Sequence, residues 1–398
     1  MSGKLTSRGR MLTAIRNQIP DRVPVAPDIS NMVPTRLSGR GYFNVYVHED
    51  PPLWRAYIDA VKYYGMDGWF TYAGLDFATL DVETSERWVL DTEEKKVRET
   101  IFNTPAGKLT EQTLFCADKP PIRVKKVVVD IDRDWPGLKC LLGPIVAADD
   151  SRIRRQRAEL GELGVLGGYV GTPGLHSWFD LFDGGIPALS YLSVDRPSLL
   201  DELRELHHAR LMDELGHVVR AGLDLILSGG SGSVTLASPR LWRRYALPTL
   251  LEVCRICHAG GIPTMVHSCG KERYMVQTCA RETLLNCINP LEVPPMGDVT
   301  LAEAKEIVRG TQLSLMGNLH TTEIMLMGSV KQVKSAARRA LRDAGGGGGF
   351  ILSTGDQCGT DTPDENIFAL VETVEKFGVY DALGCLPALA AAETEIDN

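Results

Sequence analysis

In the stretch GIPTMVHSCGK, residues 261–271, a histidine and a cysteine stand two positions apart at the end of a short apolar run. Side chains i and i+2 of an extended segment leave the chain on the same side. His267 and Cys269 therefore reach toward one point. Imidazole nitrogen and thiolate sulfur together suit a borderline-soft cation such as zinc, and catalytic zinc centres use three protein ligands plus an open position. A third donor must come from elsewhere. Asp356 and Cys358, in ILSTGDQCGTD, form another i, i+2 pair after an apolar run, and either can supply it. The bland alternative is a histidine bonded to a carbonyl beside a thiol packed as a small hydrophobe.

Those pairs matter only if the fold brings their strand ends together. From residue 160 onward one rhythm dominates: short apolar runs (LDLILSGG, IPTMVHSC, TLLNCINPLE, TQLSLMGNLH, FILSTGD) alternate with amphipathic ones such as SLLDELRELHHARLMDELGHVVRAG. Strands alternating with helices imply a parallel sheet covered by helices, joined by right-handed crossovers. Roughly seven or eight such units suit a closed (β/α)8 barrel better than an open sheet. No early G-x-G-x-x-G opens the chain as a dinucleotide-binding half would. In a barrel, chemistry collects where strands end. His267, Cys269, Asn318, His320, Asp356, Cys358 and Asp361 all fall there, and Asn318 and Asp361 are candidates to orient a substrate or the ligands.

The expected architecture is one barrel domain over residues 1–398 with a β-rich insertion or flap at 77–125, where polar and apolar residues alternate around NTPAG. The early DRVPVAPDIS reads as a short β-rich run. The aromatic and glycine-rich YVGTPGLHSWFDLFDGG reads as a pocket-lining loop that, with the flap, frames the barrel mouth. AGGGGGF lacks the lysine of a phosphate loop and reads as a helix end turning into the last strand. Lys271 and Arg273 are candidates to meet an anionic substrate.

A formal charge of -8, from 51 acidic and 43 basic side chains, gives no general pull toward nucleic acid. No apolar stretch is long enough to span a bilayer, and no secretory start is present. Nine cysteines in a chain this long point to a reducing cytoplasm. Cys254 and Cys257 form a C-x-x-C without a partner pair and, like Cys279 and Cys287, read as core. His207, His208 and His217 lie in a charged helix and read as packed or solvated.

The ordered segments DRVPVAPD, LASPRLWRRYALPTL, PTMVHSCGK, LMGNLH and GGGGGFILSTGDQCGTDTPDEN resemble the uroporphyrinogen decarboxylase superfamily, which includes zinc-dependent, corrinoid-linked methyltransferases. The resemblance implies a (β/α)8 barrel. The decarboxylase branch carries an arginine-rich MRQAGR-like segment near its N-terminus, absent here, where only Arg36 and Arg40 lie nearby. The methyltransferase branch fits better. Its histidine-x-cysteine falls on His267 and Cys269, and counting back from TPDEN puts its third ligand, a cysteine, at Asp356, with Cys358 two residues later.

The resemblance therefore implies zinc as cofactor. It also implies methyl transfer from a small methylated substrate, such as a methoxylated aromatic (O-demethylation), to a corrinoid. No D-x-H-x-x-G segment occurs in the chain, so the corrinoid (cobalamin) is expected on a partner protein. The alternatives are a decarboxylase or other lyase on the same barrel, using Asp28 and Asp224, and a corrinoid:thiol methyltransferase.

Overall fold

The structure, a computed structural model, describes residues 4–394. Its strands are, in order, β1 (Gly68–Ala73), β2 (Asp76–Thr79), β3 (Glu83–Asp91), β4 (Lys95–Thr104), β5 (Gly107–Cys116), β6 (Ile122–Lys125), β7 (Ile145–Asp149), β8 (Gly164–Tyr169), β9 (Leu225–Gly229), β10 (Thr264–His267), β11 (Cys287–Asn289), β12 (Ser314–Leu319) and β13 (Phe350–Thr354). β1 and β8 to β13 form one seven-stranded parallel sheet in the order β1-β8-β9-β10-β11-β12-β13. Neighbours in sequence are thus neighbours in space, as repeated βα crossovers dictate.

The eighth place in the ring belongs to residues 23–27, which form no regular strand. Val25 pairs in parallel with Leu352 of β13, and the Ala26 N–H donates to the Leu352 carbonyl at 2.9 Å. On the other side, the Asp67 N–H, just ahead of β1, donates to the Val25 carbonyl at 2.8 Å. One segment therefore touches both edges of the curled sheet. The expected β-rich run is in the right place but irregular, because Pro24 and Pro27 bring no N–H to a ladder.

The barrel interior is filled at the end where strands begin. Trp69, Val165, Leu225, Leu227, Met265, Cys287, Met316 and Ile351 form one buried cluster with Met11, Ala14 and Ile15 of the helix Ser7–Ile15. That helix lies across the strand starts, where the Ser314 hydroxyl donates to the Ile15 carbonyl at 3.1 Å. Outside the sheet, a larger cluster joins strand residues such as Ile226, Val266 and Leu352 to the covering helices, where Cys254, Cys257 and Cys279 are buried as expected. The glycine run turns the chain into β13. Gly348 and Gly349 have φ of +78° and +61°, and a Cβ there would meet the Gln18 carbonyl and the Asn17 side chain.

Between β1 and β8 the chain leaves the barrel. β2 pairs antiparallel with β7, and β3 to β6 form a separate four-stranded antiparallel sheet. The helix Ile131–Leu141, started by Asp130 accepting the N–H groups of Asp132 and Arg133, lies against it. Leu109 of β5 and Leu138 of that helix share a core with Trp178, Phe182 and Leu189. The insertion is thereby anchored on the segment that follows β8. No helix is long and apolar enough to cross a membrane among the described residues.

Candidate metal centre and cavity

β10 ends at His267, and Cys269 lies two residues on, beneath the turn made at Gly270. β13 ends at Thr354, and Asp356 follows at the same distance past its strand. The parallel register puts both ends on the same face of the barrel. His267, Cys269 and Asp356 each offer one ligand atom, and those atoms lie within 4.8 Å of one another. Nitrogen, sulfur and oxygen in that span fit the donor set zinc accepts.

Cys358 is not in this group. Its N–H donates to the Asp28 carbonyl at 2.8 Å, and its thiol is fully buried near Thr354 and Thr362. Burial, with the Asp28 charge, pushes that thiol up to about 12. It is placed as a core residue.

The charge around the cluster is one-sided. Burial pushes the Cys269 thiol up to about 11, and the nearby Asp356 carboxylate adds to the shift. Glu292, whose carboxylate accepts the Gly270 N–H at 2.5 Å, is also raised, by burial and then by Asp356. Asp28 is raised to about 6 by burial, against the lowering effects of the Ser30 hydroxyl and His267. Among the described residues, none of Asp28, Glu292 and Asp356 makes an ion pair with a lysine or arginine. Asn289 pairs in register with His267 on the adjacent strand, is 1% exposed, and leaves its side-chain oxygen without a hydrogen-bond partner. A bound cation would offset this local excess of negative and lone-pair groups.

His267 and Asp356 open onto a cavity of about 590 Å³. Trp69 and Leu227, from the barrel-filling cluster, reach it from below. Tyr57, Tyr72, Tyr169, His176 and Phe179 also line it, so the aromatic loop after β8 contributes wall as its composition suggested. The phenol groups are engaged. Tyr169 donates to the Gly229 carbonyl at 2.5 Å, Tyr57 accepts the Trp69 N–H at 3.0 Å, and Tyr72 donates to the Ser30 hydroxyl at 3.1 Å. Ser30 in turn donates to Asp28. Burial holds His176 down to about 3, so it is neutral, with Nε2 at 3.0 Å from the Thr172 hydroxyl.

Several expected residues lie elsewhere. Asn318 and His320 line a separate cavity of about 490 Å³ bounded by the helix Val330–Ala340. There His320 caps the next helical turn, accepting the N–H groups of Thr322 and Glu323. Asp361 is exposed and lines neither cavity. Arg273 pairs with Glu303 at 2.8 Å and Lys271 is exposed, so neither faces the cavity. Asp224 precedes β9 at the opposite end of the barrel, held by Arg8 and Arg157. Residues 77–125 contribute nothing to the cavity wall.

His207 accepts the Trp178 indole N–H at 3.0 Å and is packed, as read. Glu292 and Asn289 had no motif to announce them; their only signal is their place just after a strand core, in CINPLE.

Residues 185–377, just under half of the chain, match the uroporphyrinogen decarboxylase (URO-D) family. A methyltransferase from Methanosarcina mazei matches with a TM-score of 0.63 at 18% identity, over 93% of this chain and 98% of that one. That likeness is one of fold. A structure of the IolI protein with a binding zinc atom matches at a TM-score of 0.26 and 11% identity, over 62% of this chain and 84% of its own, too weakly to bear on the site. No curated protein matches the chain by sequence.

Proposed function

We propose that this URO-D family barrel is a methyltransferase that moves a methyl group from a small methylated substrate, an aromatic methyl ether in the first instance, to a corrinoid carried by a separate protein. The observation that carries the proposal is the meeting of His267, Cys269 and Asp356 within 4.8 Å at the wall of a cavity large enough for such a substrate. These three would hold zinc. When bound, zinc supplies Lewis acidity to the ether oxygen as the methyl group is taken. A carboxylate in place of a second thiolate leaves the ion more electron-poor, which suits an oxygen substrate better than a thiol.

The chain's own residues then have defined tasks. The rings of Trp69, Tyr72 and Phe179 offer a flat apolar surface on which to orient an aromatic group. Asp28, raised to about 6 by burial, is mostly ionised near pH 7.5 and stands at the cavity wall as a group able to exchange a proton, and Ser30 links it to the exposed Tyr72. His176, neutral and tied to Thr172, is a fixed wall residue.

Asp28 also favours a second reading, a metal-free lyase on the same barrel in which that carboxyl protonates a substrate carbon. Metal content separates the two. Purified protein is expected to hold about one zinc per chain, the stoichiometry of a three-ligand catalytic site. It is also expected to transfer methyl from a methoxybenzene to Co(I) cobalamin, followed optically. His267→Ala should lose the metal and slow transfer by about a hundredfold or more. A fully active protein free of metal would sink the methyltransferase reading and leave the lyase.

A further inference from the structure

The charge of the cavity wall bears on which substrates it admits. Three carboxylates line the cavity (Asp28, Asp180 and Asp356) and, among the described residues, no lysine or arginine does. If zinc occupies the site, its two positive charges are matched by the Cys269 thiolate and Asp356, so Asp28 and Asp180 remain uncompensated. Asp28 is 8% exposed, and its partner there is the Ser30 hydroxyl, a neutral donor. Arg123 and Lys126 approach the same wall segment, but Arg123 donates to the Asp180 carbonyl at 3.1 Å and Lys126 to the Phe179 carbonyl; neither lines the cavity. The hydroxyls of Tyr57, Tyr72 and Tyr169 are already bonded to protein groups. The wall thus presents ring surface and negative charge.

We infer that the cavity selects methylated substrates without negative charge, neutral aryl methyl ethers or N-methylated ammonium ions, and turns away carboxylated or sulfonated ones. A carboxylate on the substrate would be stripped of water, set against Asp28 and Asp180, and given no lysine or arginine of the wall to pair with. An aromatic ether loses none of these interactions. A quaternary ammonium gains from rings and carboxylates together. The inference rests on the cavity being the substrate site of the proposed methyltransferase, but it is tested by binding and not by turnover.

The probes are 2-methoxyphenol, 4-hydroxy-3-methoxybenzoate and phenyltrimethylammonium, titrated calorimetrically into the purified full chain at pH 7.5. The neutral and cationic probes are expected to bind about tenfold or more tighter than the carboxylate, a difference of about 1.4 kcal/mol or more. Asp180→Asn, at an exposed position that leaves the fold alone, and Asp28→Asn should each narrow that gap. Equal or tighter binding of the carboxylate, or a gap unmoved by both variants, overturns the inference. So does failure of all three probes to bind. Preference for the carboxylate with methyl transfer intact would defeat this inference alone. The expected preference in a protein with no methyl transfer would defeat only the reaction.

Discussion

Where the barrel strands begin, buried carboxylates sit against arginines. Arg10 reaches Asp21 at 2.8 Å and Asp67 at 2.5 Å, Arg22 reaches Asp67 at 3.1 Å, and Arg8 meets Asp224 at 2.8 Å with Arg157 beside it. Where the strands end, none of Asp28, Glu292 and Asp356 pairs with an arginine among the described residues. The titration shifts follow. Burial alone would raise Asp21 and Asp224, but hydrogen bonds from Arg10, Arg8 and Arg157 hold both below the usual carboxylate range. At the other end burial prevails, and Asp28, Glu292 and the fully buried Glu272 are all raised. One end uses charge to fix structure. The other leaves it uncompensated, which is where a cation or a substrate has work to do.

The largest test of this contrast is Arg10→Met. Arg10 is 3% exposed, and removing it leaves the wholly buried Asp67 with Arg22 as its one remaining ion-pair partner among the described residues. Loss of one partner from a buried pair costs about 3–5 kcal/mol, read as a fall in the urea midpoint. A change below about 1 kcal/mol would mean the network does not hold the barrel floor together.

Next in size is pH dependence, with opposite signs at the two ends. Asp28 is raised to about 6, so its folded value lies above the unfolded one. Its contribution is fully present while both states are protonated, below about pH 4, and is lost as pH climbs to about 6, an effect of at most about 3 kcal/mol. Asp224 is lowered, so its contribution is present above the unfolded value near 4 and is lost as pH falls below it. Chelator-treated Asp28→Asn should therefore flatten the stability curve between about pH 4 and 6, and Asp224→Asn should flatten it below about 4. Slopes of the same sign from both variants would break the comparison.

The smallest effect sharpens the ligand set. Cys358→Ser should leave zinc content unchanged and cost about 1 kcal/mol for a polar group placed in a buried thiol's position. Asp356→Ala should lose the metal. The reverse pattern would make Cys358 the ligand.

Much of this was readable because parallel strands announce themselves. ILSTGD and IPTMVHSC are apolar runs bounded by polar residues, and their crossover helices carry the 3.6-residue period. The i, i+2 spacing of His267 and Cys269 followed from strand geometry alone. The choice between Asp356 and Cys358 did not, because both leave an extended segment on the same side, and only the turn beyond β13 separates a cavity residue from a core one. Asn318 misled for a similar reason. A strand-end polar residue can face either layer, and this one borders the outer cavity. The helices Ile131–Leu141, Ser151–Leu160 and Gly185–Asp195 went unread. The first contains Pro136, the second is strongly charged, and the third opens on two glycines with positive φ, all of which weaken the local signal.

The helix Ser7–Ile15 stoppers the barrel where the strands begin, with Met11, Ala14 and Ile15 each 0% exposed. The interior is consequently closed at that end. A small molecule destined for the floor near Trp69 must enter and leave by the end where the strands finish. The helix thus fixes the direction of access from the end opposite His267, Cys269 and Asp356.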